Sequence, residues 1–64
     1  MVNYERIKQL MEEKGITNKA LADAVGVSDM MVGYIIRGLR EPSLTILARM
    51  AKVLDCTTAS LIED

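Results

Sequence analysis

The sequence predicts an all-α fold, a bundle of five short helices in one domain that spans residues 1–64. Three observations support this prediction. Apolar residues recur three and four positions apart along most of the chain, which is helical spacing. Half of the residues are apolar and nearly all of these are aliphatic or Met, as a domain this short requires if it is to bury a core. Strand-like alternation of apolar and polar residues is not sustained anywhere.

The first helix is predicted from about Tyr4 to Lys14, with Asn3 as its N-cap. Its inner face consists of residues three and four apart: Ile7, Leu10 and Met11. Gly15 ends this helix, and the apolar Ile16 after it is expected to fill the core and to fix how the next helix enters.

Residues 17–38 predict two short helices joined by a tight turn. Thr17 and Ser28 are the N-caps of helices two and three. Gly26 supplies the positive φ that ends helix two, Val27 anchors the turn in the core, and Gly38 ends helix three. The buried faces are Leu21, Ala22 and Val25 on helix two and Val32, Ile35 and Ile36 on helix three.

This order of cap, glycine bend, apolar anchor and second cap is typical of a helix-turn-helix. A steep crossing lets one helix brace against the phosphate backbone while the other enters the major groove of DNA. An ordinary helical hairpin in a small bundle would give a similar pattern, so these residues alone leave both interpretations open.

The fourth helix is predicted at Leu44–Leu54, with Ser43 as its N-cap after Pro42, which cannot continue a helix. Its apolar face is the strongest in the chain: Leu44, Leu47, Ala48, Met50, Ala51 and Leu54. Asp55 is expected to adopt a left-handed conformation. Beyond it, Cys56 is expected to be a small buried apolar residue. A short fifth helix then begins at Thr57 or Thr58 and ends with Leu61 and Ile62.

Composition limits the function classes. The net charge of −1 argues against the simplest nucleic-acid binder, although the local distribution of charge matters more than the sum. With one Cys and no His, neither an intrachain disulfide nor a Cys/His zinc cluster can form, which fits a cytoplasmic protein. No transmembrane run or signal peptide is found. An enzyme is disfavoured, because no nucleophile with a base, phosphate-binding Gly loop or metal cluster is present, and no cofactor is expected.

Four stretches resemble the lambda/Cro-type helix-turn-helix family of bacterial and phage repressors: IKQLMEEKGIT, ALADAVGVS, RGLREPSLTILARMAKVL and SLIED. Together they run from about Ile7 to Ile62. The resemblance implies a lambda-repressor-like DNA-binding domain of five helices in which helices two and three are the reading unit. It also implies binding to operator DNA as a homodimer, and repression of transcription.

The family begins helix two with Thr-Gln, whose amide braces a phosphate or a base-contacting residue. Here the pair is Thr17-Asn18, which keeps the amide but loses a methylene of reach. The resemblance places the base-reading positions of helix three on Asp29, Met30, Gly33 and Tyr34, none of which is cationic.

Each of these base-reading positions has an alternative role. Asp29 can accept from a cytosine amino group, but it would repel phosphates and equally serves as a stabilising acid in the first helical turn. Met30 can contact a thymine methyl group, or it can pack, as Met31 can, in the core or against another protein. Tyr34 can donate to a phosphate or a base, whereas Gly33 only permits close approach.

The loop after helix three is where the family contacts the phosphate backbone. The residues predicted to contact phosphate are Thr17, Lys19, Ser28, Arg37, Arg40 and Ser43. They would form a cationic rim on an otherwise acidic domain, which Glu41 within it weakens. A homodimer contact is predicted near the C-terminal end, at Thr58, Leu61 and Ile62.

Many family members bury an Arg–Glu ion pair between helices one and three, and those positions are here Met11 and Ile36. Replacing both partners avoids a stranded buried charge, and the two side chains are predicted to touch. The resulting hypothesis is a sequence-specific, double-stranded-DNA-binding transcriptional regulator. The alternative is a protein-binding module that uses the exposed apolar face of helix three, at Met30, Met31 and Tyr34.

Overall fold

The computed structural model describes residues 2–62, and in them the chain forms four α-helices and a final 3-10 turn. The elements are α1 (Tyr4–Lys14), α2 (Asn18–Val25), α3 (Asp29–Ile36), α4 (Leu44–Val53) and the 3-10 turn Ala59–Leu61. The bounds of α1 agree with the sequence prediction, α4 ends one residue earlier than predicted, and the last element differs in type. Of the SLIED motif and the predicted 1–64 domain, Met1, Glu63 and Asp64 lie outside the described residues.

The predicted short fifth helix is not confirmed as an α-helix, because the structure has a 3-10 turn of three residues at this place. The Ser60 N–H donates to Thr57 Oγ1 at 3.2 Å and the Ser60 hydroxyl donates to the Thr57 carbonyl at 2.7 Å. Ile62 is already extended and forms an isolated antiparallel bridge with Val2. The chain ends of the described region are therefore tied together, which leaves no length for a full α-helical turn.

All four predicted N-caps form. Asn3 Oδ1 accepts from the Arg6 N–H at 3.0 Å, and Thr17 Oγ1 accepts from the Ala20 N–H at 3.1 Å. The Oγ atoms of Ser28 and Ser43 likewise accept from the N–H groups three residues on, at 3.1 and 3.2 Å. Each such cap stabilises its helix by about 1 kcal/mol. Short helices of eight residues need this local support as well as packing.

Four described residues have left-handed backbone, and two of them, Gly26 and Asp55, show how the turns form. Gly26, at φ 88°, ends α2 and lets the chain reverse into α3. Asp55, at φ 56°, is a residue with a side chain in this conformation, as predicted from the sequence. Its N–H donates to the Lys52 carbonyl at 3.2 Å, which satisfies one of the free carbonyls at the end of α4.

The core draws on every element, and no polar side chain of the described residues is buried in it. Its members are Val2, Ile7, Met11, Leu21, Ala22, Val25, Val32, Ile35, Leu47, Met50, Ala51, Leu54 and Leu61. Ile16, Val27 and Cys56 pack against it while only partly buried. Ile36 and Leu10, both expected inside, are also only partly buried.

Leu44 and Ala48 are corrections to the predicted face of α4, since Leu44 is 70% exposed and Ala48 is also exposed. At roughly 100° per residue, both project from one shoulder of the arc formed by the buried residues of α4. In this arrangement α2 packs on α3 and α4, and α1 packs on α3 and the 3-10 turn. In the described part of the chain, no helix is long and apolar enough to cross a membrane.

Candidate nucleic-acid interface

α3 presents an uncovered face opposite its buried residues Val32 and Ile35. Asp29 and Met30 are exposed there, with Met30 at 65%, and Gly33 and Tyr34 are half-buried. The predicted base-reading residues of helix three therefore share the outer side of a single helix. Met31, by contrast, is half-buried and packs against the core.

The side chain of Arg37 does not extend from the loop after α3, where its sequence position placed it among the phosphate contacts. Its Nε donates to the Gly33 carbonyl at 3.1 Å, and its guanidinium carbon is 5.5 Å from the centroid of the Tyr34 ring. The side chain thus runs back along α3 toward the helix N-terminus instead of reaching outward from the loop. A cation therefore occupies the middle of the outer face of α3.

Polar helix N-termini lie on both sides of α3. Thr17 and Asn18, at the start of α2, share a groove with Ile36 at the end of α3. Arg40 and Ser43, before α4, share another groove with Met31. The structure thus brings the predicted phosphate contacts of the α2 and α4 termini to the two flanks of α3.

The capping hydroxyls remain able to contact a ligand. Thr17, Ser28 and Ser43 are all exposed, and each oxygen accepts a backbone N–H, which leaves the hydroxyl hydrogen free to donate. The positive end of each helix dipole lies at the same place, which favours an anion.

Lys19 stands on the first turn of α2 and its ammonium is 3.9 Å from the Asp23 carboxylate. Both side chains are about 70% exposed, at 74% and 69%. A solvent-exposed pair of this kind contributes little to stability. Lys19 is therefore available to exchange this partner for a phosphate.

A helix-turn-helix family model matches residues 7–61 of the chain. The chain belongs to this helix-turn-helix family. It is 34% identical over 61 residues to the transcriptional regulator SinR of Bacillus subtilis, a match that covers 94% of the chain and 55% of SinR. It is 38% identical over 56 residues to the uncharacterised regulator YazB of Bacillus subtilis, covering 88% and 81%. The chain thus spans about half the length of SinR.

Solved structures agree with the sequence matches. SinR in complex with DNA superposes with a TM-score of 0.85 at 34% identity, covering 94% of this chain and 97% of that one. The DNA-binding domain of the P22 C2 repressor superposes with a TM-score of 0.88 at 30% identity, covering 95% and 80%. The resemblance to the lambda/Cro-type repressors is therefore confirmed.

Met11 and Ile36 occupy the positions that the resemblance aligns with the Arg–Glu ion pair of the family, and both are apolar here. Both residues border a groove of 430 Å³ between α1 and α3, together with Ile16. Met11 is 5% exposed and Ile36 is half-buried. Both residues thus lie at the edge of the core, and the direct contact between their side chains stays a prediction.

Of the three residues predicted at a dimer contact, one is not on the surface. Leu61 is fully buried in the chain's own core, so its assignment to a dimer contact is wrong. Thr58 is half-buried, while Ile62 is 40% exposed. The 3-10 turn directs Leu61 inward, because the Asn3 N–H donates to the Leu61 carbonyl at 2.8 Å and holds the segment against α1.

Arg49 is a positioning residue that the sequence did not indicate. Its Nη1 donates to the Val25 carbonyl at 3.2 Å, so α4 binds a free carbonyl at the end of α2. The two residues are 24 positions apart, and no local pattern links them. This contact fixes the turn between α2 and α3, and with it the presentation of α3.

Proposed function

We propose that this chain is the sequence-specific DNA-binding domain of a transcriptional regulator, with α3 in the major groove of double-stranded DNA. The observation that carries the proposal is the uncovered outer face of α3, flanked by the polar N-termini of α2 and α4. Family membership supports it, since SinR has been solved in complex with DNA over almost the same length.

Base reading is assigned to the face that includes α3 and the first turn of α2. Asn18, Asp29, Met30, Gly33 and Tyr34 are the proposed base-facing residues. The proposed phosphate contacts are Thr17, Lys19, Ser28, Arg37, Arg40 and Ser43. Phosphate contacts would set position and affinity, and the base contacts would set sequence.

A repressor that acts as a homodimer in the cytoplasm is the finer form of the proposal. The likeness to the P22 C2 repressor supports repression. Few cations are available per chain, so a second copy on an adjacent half-site would supply the missing affinity. Of the predicted contact residues, Ile62 and Thr58 remain candidates because neither is fully buried.

A protein-binding module is the second candidate. Met30 is 65% exposed and the chain carries a net charge of −1, both of which suit a protein partner. SinR has also been solved in complex with the protein SinI. In this form Met30 and Tyr34 would dock the partner, whereas Met31 is turned toward the core.

Selection of bound duplexes from a random DNA pool, followed by anisotropy titration, tests the proposal. The expected result is an enriched palindrome with half-sites about one helical turn apart. No binding to any duplex at micromolar protein and about 50 mM salt would overturn the proposal and favour the protein-binding module.

A further inference from the structure

We propose that Arg37, laid back across Gly33 and within cation–π distance of Tyr34, is the guanine-reading residue of this domain. This inference rests on the proposed DNA binding and goes beyond it by assigning a base preference to one side chain. It also moves Arg37 from the phosphate contacts, where its sequence position placed it, to the base-reading face.

The place of the Arg37 side chain on α3 supports base reading. The four sequence-matched reading positions, Asp29, Met30, Gly33 and Tyr34, hold no cation. A helical side chain covers the turn before its own Cα, and residues four apart share a face. Arg37 therefore covers the surface at Gly33, where a Cβ would lie 3.9 Å from its Nη2. The absence of a side chain at Gly33 leaves the surface that the guanidinium occupies.

The free donors of the Arg37 guanidinium match guanine. Nε is engaged by the Gly33 carbonyl at 3.1 Å, which leaves the paired Nη groups with free donors. Two parallel donors match the O6 and N7 acceptors on the major-groove edge of guanine, the commonest specific contact between Arg and a base. A single phosphate oxygen needs no such fork, and a lysine would serve it equally well.

The Arg37 side chain is also restrained before DNA binds. A free Arg side chain loses rotamer freedom on binding, and an ordered one has less to lose. The hydrogen bond to the Gly33 carbonyl and the cation–π contact with Tyr34, at 5.5 Å from the ring centroid, restrain the guanidinium before DNA binds. Tyr34 is therefore a positioning residue for Arg37, in addition to any contact of its own.

The experiment compares base preferences across variants by selection from a random duplex pool, followed by titration of the selected site. Arg37→Lys keeps the charge and removes the fork, so preference for one guanine per half-site should fall about 5- to 100-fold. Binding to unselected DNA should stay within about threefold, since the charge is retained. Arg6→Lys makes the same substitution at an exposed position of α1 outside the proposed interface, so it is the matched control and should leave every base preference unchanged.

Base analogues test the same contact from the DNA side. Replacing the preferred guanine with 7-deazaguanine removes N7. This should weaken DNA binding by the wild-type protein but not by the Arg37→Lys variant. Inosine keeps both N7 and O6 and should bind nearly as guanine does.

The role of Tyr34 is tested by a pair of variants. Tyr34→Phe keeps the ring and should preserve the guanine preference, whereas Tyr34→Leu removes the ring and should lower it with Arg37 intact. A general loss of stability would weaken binding to all sequences alike and would not change the preferred base.

The two levels of the hypothesis fail differently. A wild-type protein that enriches a site whose base preferences survive Arg37→Lys would overturn the assignment of Arg37 alone. Equal base preferences for Tyr34→Phe and Tyr34→Leu would overturn the positioning role of Tyr34. A wild-type protein that binds no duplex would overturn the proposed function, and this inference with it.

Discussion

Asp29 acts in two opposite directions at the start of α3. Its carboxylate lies in the first helical turn, where the helix dipole favours a negative charge by about 0.3–1 kcal/mol. The same exposed carboxylate lies on the face proposed to enter the groove, where DNA phosphates would repel it. The stability and the DNA affinity of the domain therefore place opposing demands on this residue.

Asp29→Asn separates these two effects. The free energy of unfolding should fall by about 0.3–1 kcal/mol, because the charge that complements the dipole is lost. DNA affinity should rise several-fold at low salt and less at high salt, since the repulsion is electrostatic. Urea denaturation and anisotropy titration measure the two quantities. Glu5→Gln makes the same change in the first turn of α1 and should lower stability without the gain in affinity; equal gains from both variants would contradict the placement of Asp29 at the DNA.

Gly33 lies inside α3 without a positive φ, so its conformation does not require glycine. Gly33→Ala should raise the free energy of unfolding by about 0.5–1 kcal/mol, because Gly is the less favourable residue in a helix interior. A Cβ would meet Arg37 Nη2 at 3.9 Å, which is ordinary contact, so the guanidinium should keep its place and base preference should persist. Thermal unfolding and duplex selection check the two parts, and a loss of stability would show that α3 requires glycine here.

The contacts of Arg37 and Arg49 could not be predicted from the sequence. A sequence gives the face on which a side chain begins, but not how far or in which direction a long side chain then runs. Arg37 turns back along its own helix, and Arg49 reaches a carbonyl on another. The four N-caps were predictable because a cap depends on residues only three positions apart.

The buried face of α4 is narrower than the sequence predicted. Leu47, Met50, Ala51 and Leu54 form the buried arc, and Leu44 lies on its shoulder at the first turn. Helical periodicity indicates which side faces inward, but not where the neighbouring helices end. Leu44 was therefore predicted to be inside although it is 70% exposed.

The α4 N-terminus combines a structural role with a proposed phosphate contact at Ser43, and substitutions can separate them. Ser43→Ala removes the cap and should lower the free energy of unfolding by about 1 kcal/mol. Ser43→Asp keeps a capping oxygen and suits the dipole, so stability should be retained, yet DNA affinity should fall because a carboxylate would face the phosphate.

Urea denaturation and anisotropy titration at low salt distinguish the two Ser43 variants. Gln9→Glu is the control for charge alone, since it adds one negative charge on an exposed position of α1. DNA affinity that falls equally for Gln9→Glu and Ser43→Asp would mean that Ser43 is remote from the DNA.

The net charge of the whole chain, −1, limits how the domain can bind DNA. The fold was predictable because twelve of the thirteen buried apolar residues among those described follow helical spacing, whereas Val2 is buried through its bridge to Ile62. The site was predictable only in outline, because the net charge of −1 gives no electrostatic signal. A nearly neutral domain must bind DNA through a few well-placed cations and helix N-termini.

The salt dependence of binding tests that view. Lys19 and Arg40 would each displace counterions from a phosphate, so a dimer on two half-sites makes about four such contacts and its log K should fall with log salt at a slope of about −4. A protomer on a single half-site should give a slope of about −2, measured by anisotropy on half-site and full-site duplexes. Arg40→Gln should make the full-site slope shallower by about 2, one contact from each protomer. A full-site slope that remained near −1, or an unchanged slope in Arg40→Gln, would contradict DNA binding through this cationic set.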